Sequence, residues 1–173
     1  MAINVSSQPR SVATDDNLLI MCAPLSAVTS WPEAPTVSEL AAASFVDVTY
    51  SLTAGSGWAE ATNEDEITDE RLTLSEVFAK GGRTTNTLSL QYVYGTEDDV
   101  ADPLFVEREL LVFAVRFAVE HDEPIAAGQK FDFWLVEAGR KSRDQVAANA
   151  LFTKTQPMRP QAKVQRDVAI TAS

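Results

Sequence analysis

The sequence predicts a mainly β protein, a β-sandwich or barrel with one or two short helices and long loops. Three observations predict it. The stretches 110–119 and 130–137 alternate their side chains with the two-residue period of strands, and 84–95 does the same. No stretch beyond about ten residues keeps the 3.6-residue period of a helix. Turn residues such as Gly and Pro punctuate the chain between these runs. With 173 residues, 45% of them apolar, the chain fits one domain and can fill a core. Residues 1–17 are polar and aperiodic and contain Pro9, so they read as a flexible N-terminal arm, with a single β domain over 18–173.

Taken in order, "LLIMC" (18–22) is a short apolar strand. Thr36 and Glu39 have the spacing of a capping box and predict a helix over roughly 37–43. "FVDVTYSL" (45–52) sets Phe45, Asp47 and Thr49 against Val46, Val48 and Tyr50, which predicts a strand. "TAGSGWAEATNEDEITDE" (53–70) is too polar to pack and predicts a long solvated hairpin or loop. Residues 71–79 suit a strand or a short helix, and "KGGR" (80–83) predicts a turn. In 84–95, Leu88, Leu90, Tyr92 and Tyr94 share one side of a strand. A short helix is expected within 96–109, where Pro103 is tolerated only in the first turn. The runs 110–119 and 130–137, joined by a polar segment with Pro124 and Gly128, predict an antiparallel hairpin. Residues 138–149 form a basic loop, and two weaker strands are expected around Pro157 and Pro160.

The chemistry-bearing residues are few. His121 is the chain's one histidine, placed among Glu120, Asp122 and Glu123 in the predicted hairpin turn. Zinc needs ligands converging from stiff elements, and a general base needs a nucleophile or substrate held beside it; neither is visible, so a solvated turn is expected. Cys22, the one cysteine, excludes an intrachain disulfide and suits a small buried core residue. The acids Glu60, Glu64, Asp65, Glu66, Asp69 and Glu70 lack the spacing and the glycine of a calcium loop and read as a solvated charge run. Among the tryptophans, Trp134 falls in a strand and reads as core or interface, whereas Trp58 follows "GSG" and is the candidate exposed aromatic anchor. No catalytic motif, cofactor motif or metal site is expected. The net charge of −11 argues against a surface built to grip phosphates. No apolar run reaches the ~18 residues of a membrane span. The opening residues also lack a secretion leader's basic-then-apolar pattern.

Four stretches in order, "PTVSELAAASFVDVTYSL" (35–52), "DERLTLSEVFAKGGRTTNTLSLQYVYG" (69–95), "LLVFAVRFAVEHDEPIAAGQKFDFWLVEAG" (110–139) and "ANALFTKTQPM" (148–158), are similar to the pieces of the major tail tube proteins of long-tailed bacteriophages. The resemblance spans about half the chain; the arm and the acidic stretch 53–70 match no pattern of that family. It implies a β-sandwich or barrel subunit, without catalytic residues or cofactor, that joins copies of itself into hexameric rings. The rings would stack into a tube through which DNA passes. Partners implied are further tail proteins (terminator, tape measure, baseplate or tip), in a virion tail assembled in the host cytoplasm. An acidic lumen wall that repels phosphates would let DNA slide.

Oppositely charged loops suggest subunit contacts: Glu60, Glu64, Asp65, Glu66 and Asp69 against Arg140, Lys141 and Arg143 of a neighbour. The competing readings are a tail terminator or head–tail joining protein with a similar barrel, and a carbohydrate-binding β-sandwich using Trp58 and Trp134.

Overall fold

The computed structural model describes residues 11–69 and 78–172, with the side chains of 69 and 78–80 excepted. Its strands are β1 (Leu18–Pro24), β2 (Val46–Asp47), β3 (Trp58–Asp69), β4 (Phe78–Val93), β5 (Leu110–Phe117), β6 (Lys130–Ala138), β7 (Ser142–Arg143), β8 (Thr153–Pro160) and β9 (Gln165–Ala169), and its helices are α1 (Val37–Leu40) and α2 (Ala101–Leu104). The expectations for residues 1–10, and for the strand or helix over 71–79 as far as residue 77, lie outside the described residues.

All described pairings are antiparallel, in the order β2-β1-β5-β6-β8-β4-β3. The predicted hairpin is the centre of this sheet, with Leu111 opposite Val136 and Phe113 opposite Trp134. The other edge of β6 is shared. Its first half pairs with β9, from Lys130 opposite Ala169, and its second half pairs with β8, up to Ala138 opposite Met158. Residues 46–53 tie the two ends of the sheet together. Val48 donates its N–H to the Ile20 carbonyl (2.9 Å) on the outer edge of β1, and Thr53 donates to the Gln91 carbonyl (3.0 Å) on β4. Leu52 forms a bridge with Tyr92. The sheet therefore curls into a barrel, the mainly β fold the alternation predicts.

Two apolar clusters lie on opposite faces of β1, β5 and β6. Ile20, Cys22, Leu111, Phe113, Val115, Trp134 and Val136 pack inward with Leu88, Leu90, Tyr92, Phe105 and Met158. The alternate residues Leu19, Met21, Val112, Ala114, Phe131 and Phe133 face outward and are roofed by Val28, Leu40, Phe45 and Ile170. Burial on both faces explains why these strands read as near-continuous apolar runs. Cys22 is fully buried, as expected, and burial raises its thiol well above the ordinary range, with the Glu109 charge adding to the effect.

The capping box is present as predicted, on a helix that stops at Leu40. Glu39 donates its N–H to Thr36 Oγ1 (3.4 Å), and Glu39 Oε2 accepts from the Thr36 N–H (3.2 Å). Glu39 Oε1 also accepts from the Thr29 N–H and hydroxyl and from the Ser30 N–H, which pins the preceding loop. Burial pushes this carboxyl up, but the hydrogen bonds from Thr29, Ser30 and Thr36 outweigh it and lower it to about 2. In α2, Pro103 occupies the first turn, the place its missing N–H allows.

Four expectations need correction. The strand over 45–52 shrinks to Val46–Asp47, followed by a 3₁₀ turn at Thr49–Ser51. Asp47 Oδ1 accepts from both the N–H (2.9 Å) and the hydroxyl (2.6 Å) of Thr49, a local turn that competes with strand pairing. Of the hairpin and the loop expected for the acidic stretch the structure takes the hairpin, and the correction is one of extent: β3 pairs with β4 from Trp58 opposite Leu90 to Asp69 opposite Phe78, so the acids stand on a regular strand. "KGGR" is no turn either; it lies inside β4, where three steps from Thr84 to Gly81 face two from Glu64 to Glu66, a β-bulge. A Cβ on Gly82 would stand 2.7 Å from the Asp65 carbonyl oxygen, so glycine permits this close approach. The basic loop is likewise shorter than expected: Ala138 closes β6, and Ser142 and Arg143 pair with Thr155 and Lys154 of β8.

Candidate functional site

The charged groups the sequence singles out occupy two ends of one strand. Outward from Leu88, β4 loses its pairing with β8 and continues with β3 alone as a two-stranded ribbon, in which residues 61–68 are exposed. Glu64, Asp65 and Glu66 stand on this ribbon; the side chain of Asp69 lies outside the described residues. Glu60, at its base, is partly buried and forms an ion pair with Arg166 of β9. The basic residues sit beside the opposite end of β4, where Arg143 faces Lys154, which in turn faces Tyr92. Eight residues separate Tyr92 from Thr84, the partner of Glu64, so about 26 Å of strand separates the two groups. They do not meet within one subunit.

Lys141 already has a partner in its own chain. Asp102, on α2, accepts from Lys141 Nζ (3.0 Å) and from Lys154 Nζ through both carboxylate oxygens (2.8 Å each). The Asp102 backbone carbonyl also accepts from Lys141 Nζ. Burial raises the Asp102 carboxyl, but the two lysines outweigh it and hold it below the usual range. Tyr92 extends the network, donating to Asp102 Oδ1 (3.3 Å) or Gln156 Oε1 (3.2 Å), while Gln156 Nε2 donates to the Gly139 carbonyl (2.8 Å). The loop after β6 is thus anchored to β8 and α2, and Arg140 and Arg143 remain exposed on it. Nothing in the sequence signals this cluster, because Asp102 and Lys154 are 52 residues apart.

The turn between β5 and β6 is built around Arg116. Its side chain is fully buried and donates to the carbonyls of Glu120 (2.8 Å), His121 (3.1 Å) and Glu123 (2.9 Å) and to Gln129 Oε1 (3.0 Å). Gln129 in turn donates to the Pro124 carbonyl and accepts from the Ala126 N–H. One legible sign was available: an arginine on the buried face of an apolar strand must find acceptors nearby.

His121 departs from the solvated-turn expectation. Its Nε2 lies 2.6 Å from Asp47 Oδ2, its Nδ1 lies 3.1 Å from Asp122 Oδ1, and its ring stands 4.7 Å from that of Tyr50. It latches the turn to the β2 segment. Among the described residues no three His, Cys, Asp or Glu side chains gather as metal ligands. Burial lowers the imidazole, but hydrogen bonds and charge from Asp122 and Asp47 outweigh it and raise its pKa.

The latch is therefore worth most while the ring is protonated. Its contribution is fully present below the ordinary ~6.5 and is lost as pH rises through the raised value. Asp47 is more than a third exposed and Asp122 fully so, and screening limits the gain to about 1 kcal/mol or less. Thermal unfolding of the parent protein should fall by about 2–4 °C relative to His121→Gln as pH climbs from about 6 to 8.5. Parallel pH profiles for the two proteins would remove the latch.

Trp58 is not an exposed anchor. Its ring packs in T-shaped geometry against Trp134 (6.1 Å) and Phe113 (5.6 Å) and is partly buried, and Trp134 is fully buried, so the two do not form a paired exposed platform for a sugar. Two of the surface concavities among the described residues are lined by charged side chains of opposite sign. A cleft of about 1240 Å³ runs between the ribbon and the β8–β9 segment, lined by Trp31, Pro32, Arg83, Lys163, Arg166 and neighbouring residues. A smaller one of about 430 Å³ is lined by Asp15, Asp16, Tyr50, Glu120, His121 and Asp122.

A family model described as phage tail tube protein matches residues 6–173. No curated protein matches. Among solved structures, a chain of the cryo-EM structure of the anti-feeding prophage baseplate, 6-fold symmetrised, is similar at 10% identity with a TM-score of 0.53. That similarity covers 96% of this chain and 99% of the other, and it extends the fold likeness to nearly the full length.

Proposed function

Since the chain belongs to the phage tail tube protein family, a structural component of the virion tail, we propose that its copies close into hexameric rings that stack into the tail tube and conduct DNA at ejection. The observation that carries this reading is the family match over residues 6–173. The ribbon supports it as well: among the described residues no strand pairs with the outer edge of β3 along an exposed, charged hairpin, a feature that isolated proteins tend to blunt and that assemblies use as a joint. A net charge of −11 suits a conduit that must not hold phosphates. The partners on this reading are other copies of the chain and other tail proteins, met in the host cytoplasm during assembly. Subunit contacts through Glu64, Asp65, Glu66, Arg140 and Arg143 belong to the same proposal, as do the arm over 1–17 and the single β domain over 18–173.

Negative-stain microscopy of the concentrated protein tests the reading. Hollow filaments of uniform diameter are expected. A species that stays monomeric, or stops at one ring, at every concentration and salt level would overturn it; the single ring would favour a terminator.

A further inference from the structure

The two concavities sit at opposite margins of the same strand layer and carry opposite charge. Reading outward through β6, the layer runs β2-β1-β5-β6-β9, about 19 Å from its first strand to its last. At the β2 margin, Asp15, Asp16, Glu120 and Asp122 surround the exposed ring of Tyr50. Arg116 and His121 hold this margin in place, because both fix the turn that bears Glu120 and Asp122. At the β9 margin the cleft presents Arg83, Lys163 and Arg166, and among the described residues no carboxylate side chain lines it. Arg166 leans on Glu60 and lies 3.6 Å from Asp132, so Arg83 and Lys163 carry most of the unbalanced charge. A basic cleft is unusual on a chain with 25 acidic and 14 basic residues.

We infer that the acidic β2 margin of one copy docks into the basic β9-side cleft of the next, with Arg83 and Lys163 reading the carboxylates of Asp15 and Glu120. This inference rests on the ring-and-tube reading and names the surfaces that join. The contact is heterologous, one patch on a different patch, the type that propagates head to tail and closes when the rotation permits. Both faces belong to the same chain, which favours a second copy over any other acidic occupant. Opposed charges at such a contact steer encounter and set register, and juxtaposed like charges oppose it strongly.

Two charge-reversed variants test it: Arg83→Glu with Lys163→Glu, and Asp15→Lys with Glu120→Lys. All four side chains are exposed and none belongs to the His121 latch; Glu120 meets Arg116 only through its backbone carbonyl, which the substitution keeps. Given a parent protein that forms tubes, each variant alone should polymerise at least about tenfold less, with unchanged thermal unfolding. An equimolar mixture should restore tubes of parental diameter, because every margin then meets a cleft of opposite sign. Tubes from either variant alone at parental yield, or no rescue from two folded variants, would overturn the inference while leaving the tube reading intact. Absence of parental tubes would remove the tube reading itself. Should a variant fail to fold, the parent decides: raising salt from about 0.1 to about 1 M should raise its critical concentration at least about tenfold, and an unchanged value overturns the contact.

Discussion

Truncating Trp134 to alanine should lower stability by about 3–5 kcal/mol, the range for removing a large buried aromatic. The indole is 1% exposed in the inner cluster. It faces Phe113 across the central hairpin and takes the edge of Trp58 at 6.1 Å, and the Arg166 guanidinium lies 5.6 Å from its ring centre. The cavity would open where β5, β6 and Trp58, the first residue of β3, meet. For a chain of this length the loss corresponds to a fall of roughly 10–15 °C in the thermal midpoint. Trp134→Phe keeps most of the apolar volume and should lose clearly less. An alanine variant that unfolds within about 1 kcal/mol of the parent would show that the ring bears no part of the core.

Arg116→Ala should cost about 3 kcal/mol, because carbonyls that accept its guanidinium would lose their partner in a part-buried turn. Three backbone oxygens and one side-chain amide share that one group. Lysine retains charge but not the planar fork, so Arg116→Lys should recover only part of the loss. On the docking contact inferred above the effect should reach assembly too, because the turn carries Glu120 and Asp122 and its displacement would disturb that margin. Denaturant unfolding and tube yield together check this. A variant as stable as the parent would mean that the turn holds itself without the guanidinium.

The features legible in the sequence are those whose cause is local. The capping box at Thr36 and Glu39 needs only a four-residue spacing. The β5–β6 hairpin needs only alternation and a polar turn, and both faces of its strands turn out apolar because each is covered. The β3 strand escaped for the opposite reason: residues 61–68 are exposed, so no apolar side chains mark a period, and pairing with β4 alone holds the strand extended. Residues 45–52 alternate well enough to imitate a strand, yet the Asp47–Thr49 hydrogen bonds favour a turn. Gly81 and Gly82 look like turn residues until the opposing strand shows that their small size serves a bulge.

The candidate surfaces were less legible than the fold. Glu64, Asp65, Glu66, Arg140 and Arg143 are exposed, in keeping with the role proposed for them, but Glu60 and Lys141 are engaged within the subunit by Arg166 and Asp102. The basic cleft draws Arg83 from one strand and Lys163 and Arg166 from a segment some eighty residues later. No linear pattern announces a surface assembled that way; it arises from the curl of the sheet.

The sealed thiol of Cys22 has a practical outcome. Oxidants attack sulfur mainly as thiolate, and here that form is both disfavoured and walled off by the inner cluster. This chain therefore presents no cysteine to dissolved peroxide, and cross-linking of one copy to another through Cys22 is disfavoured.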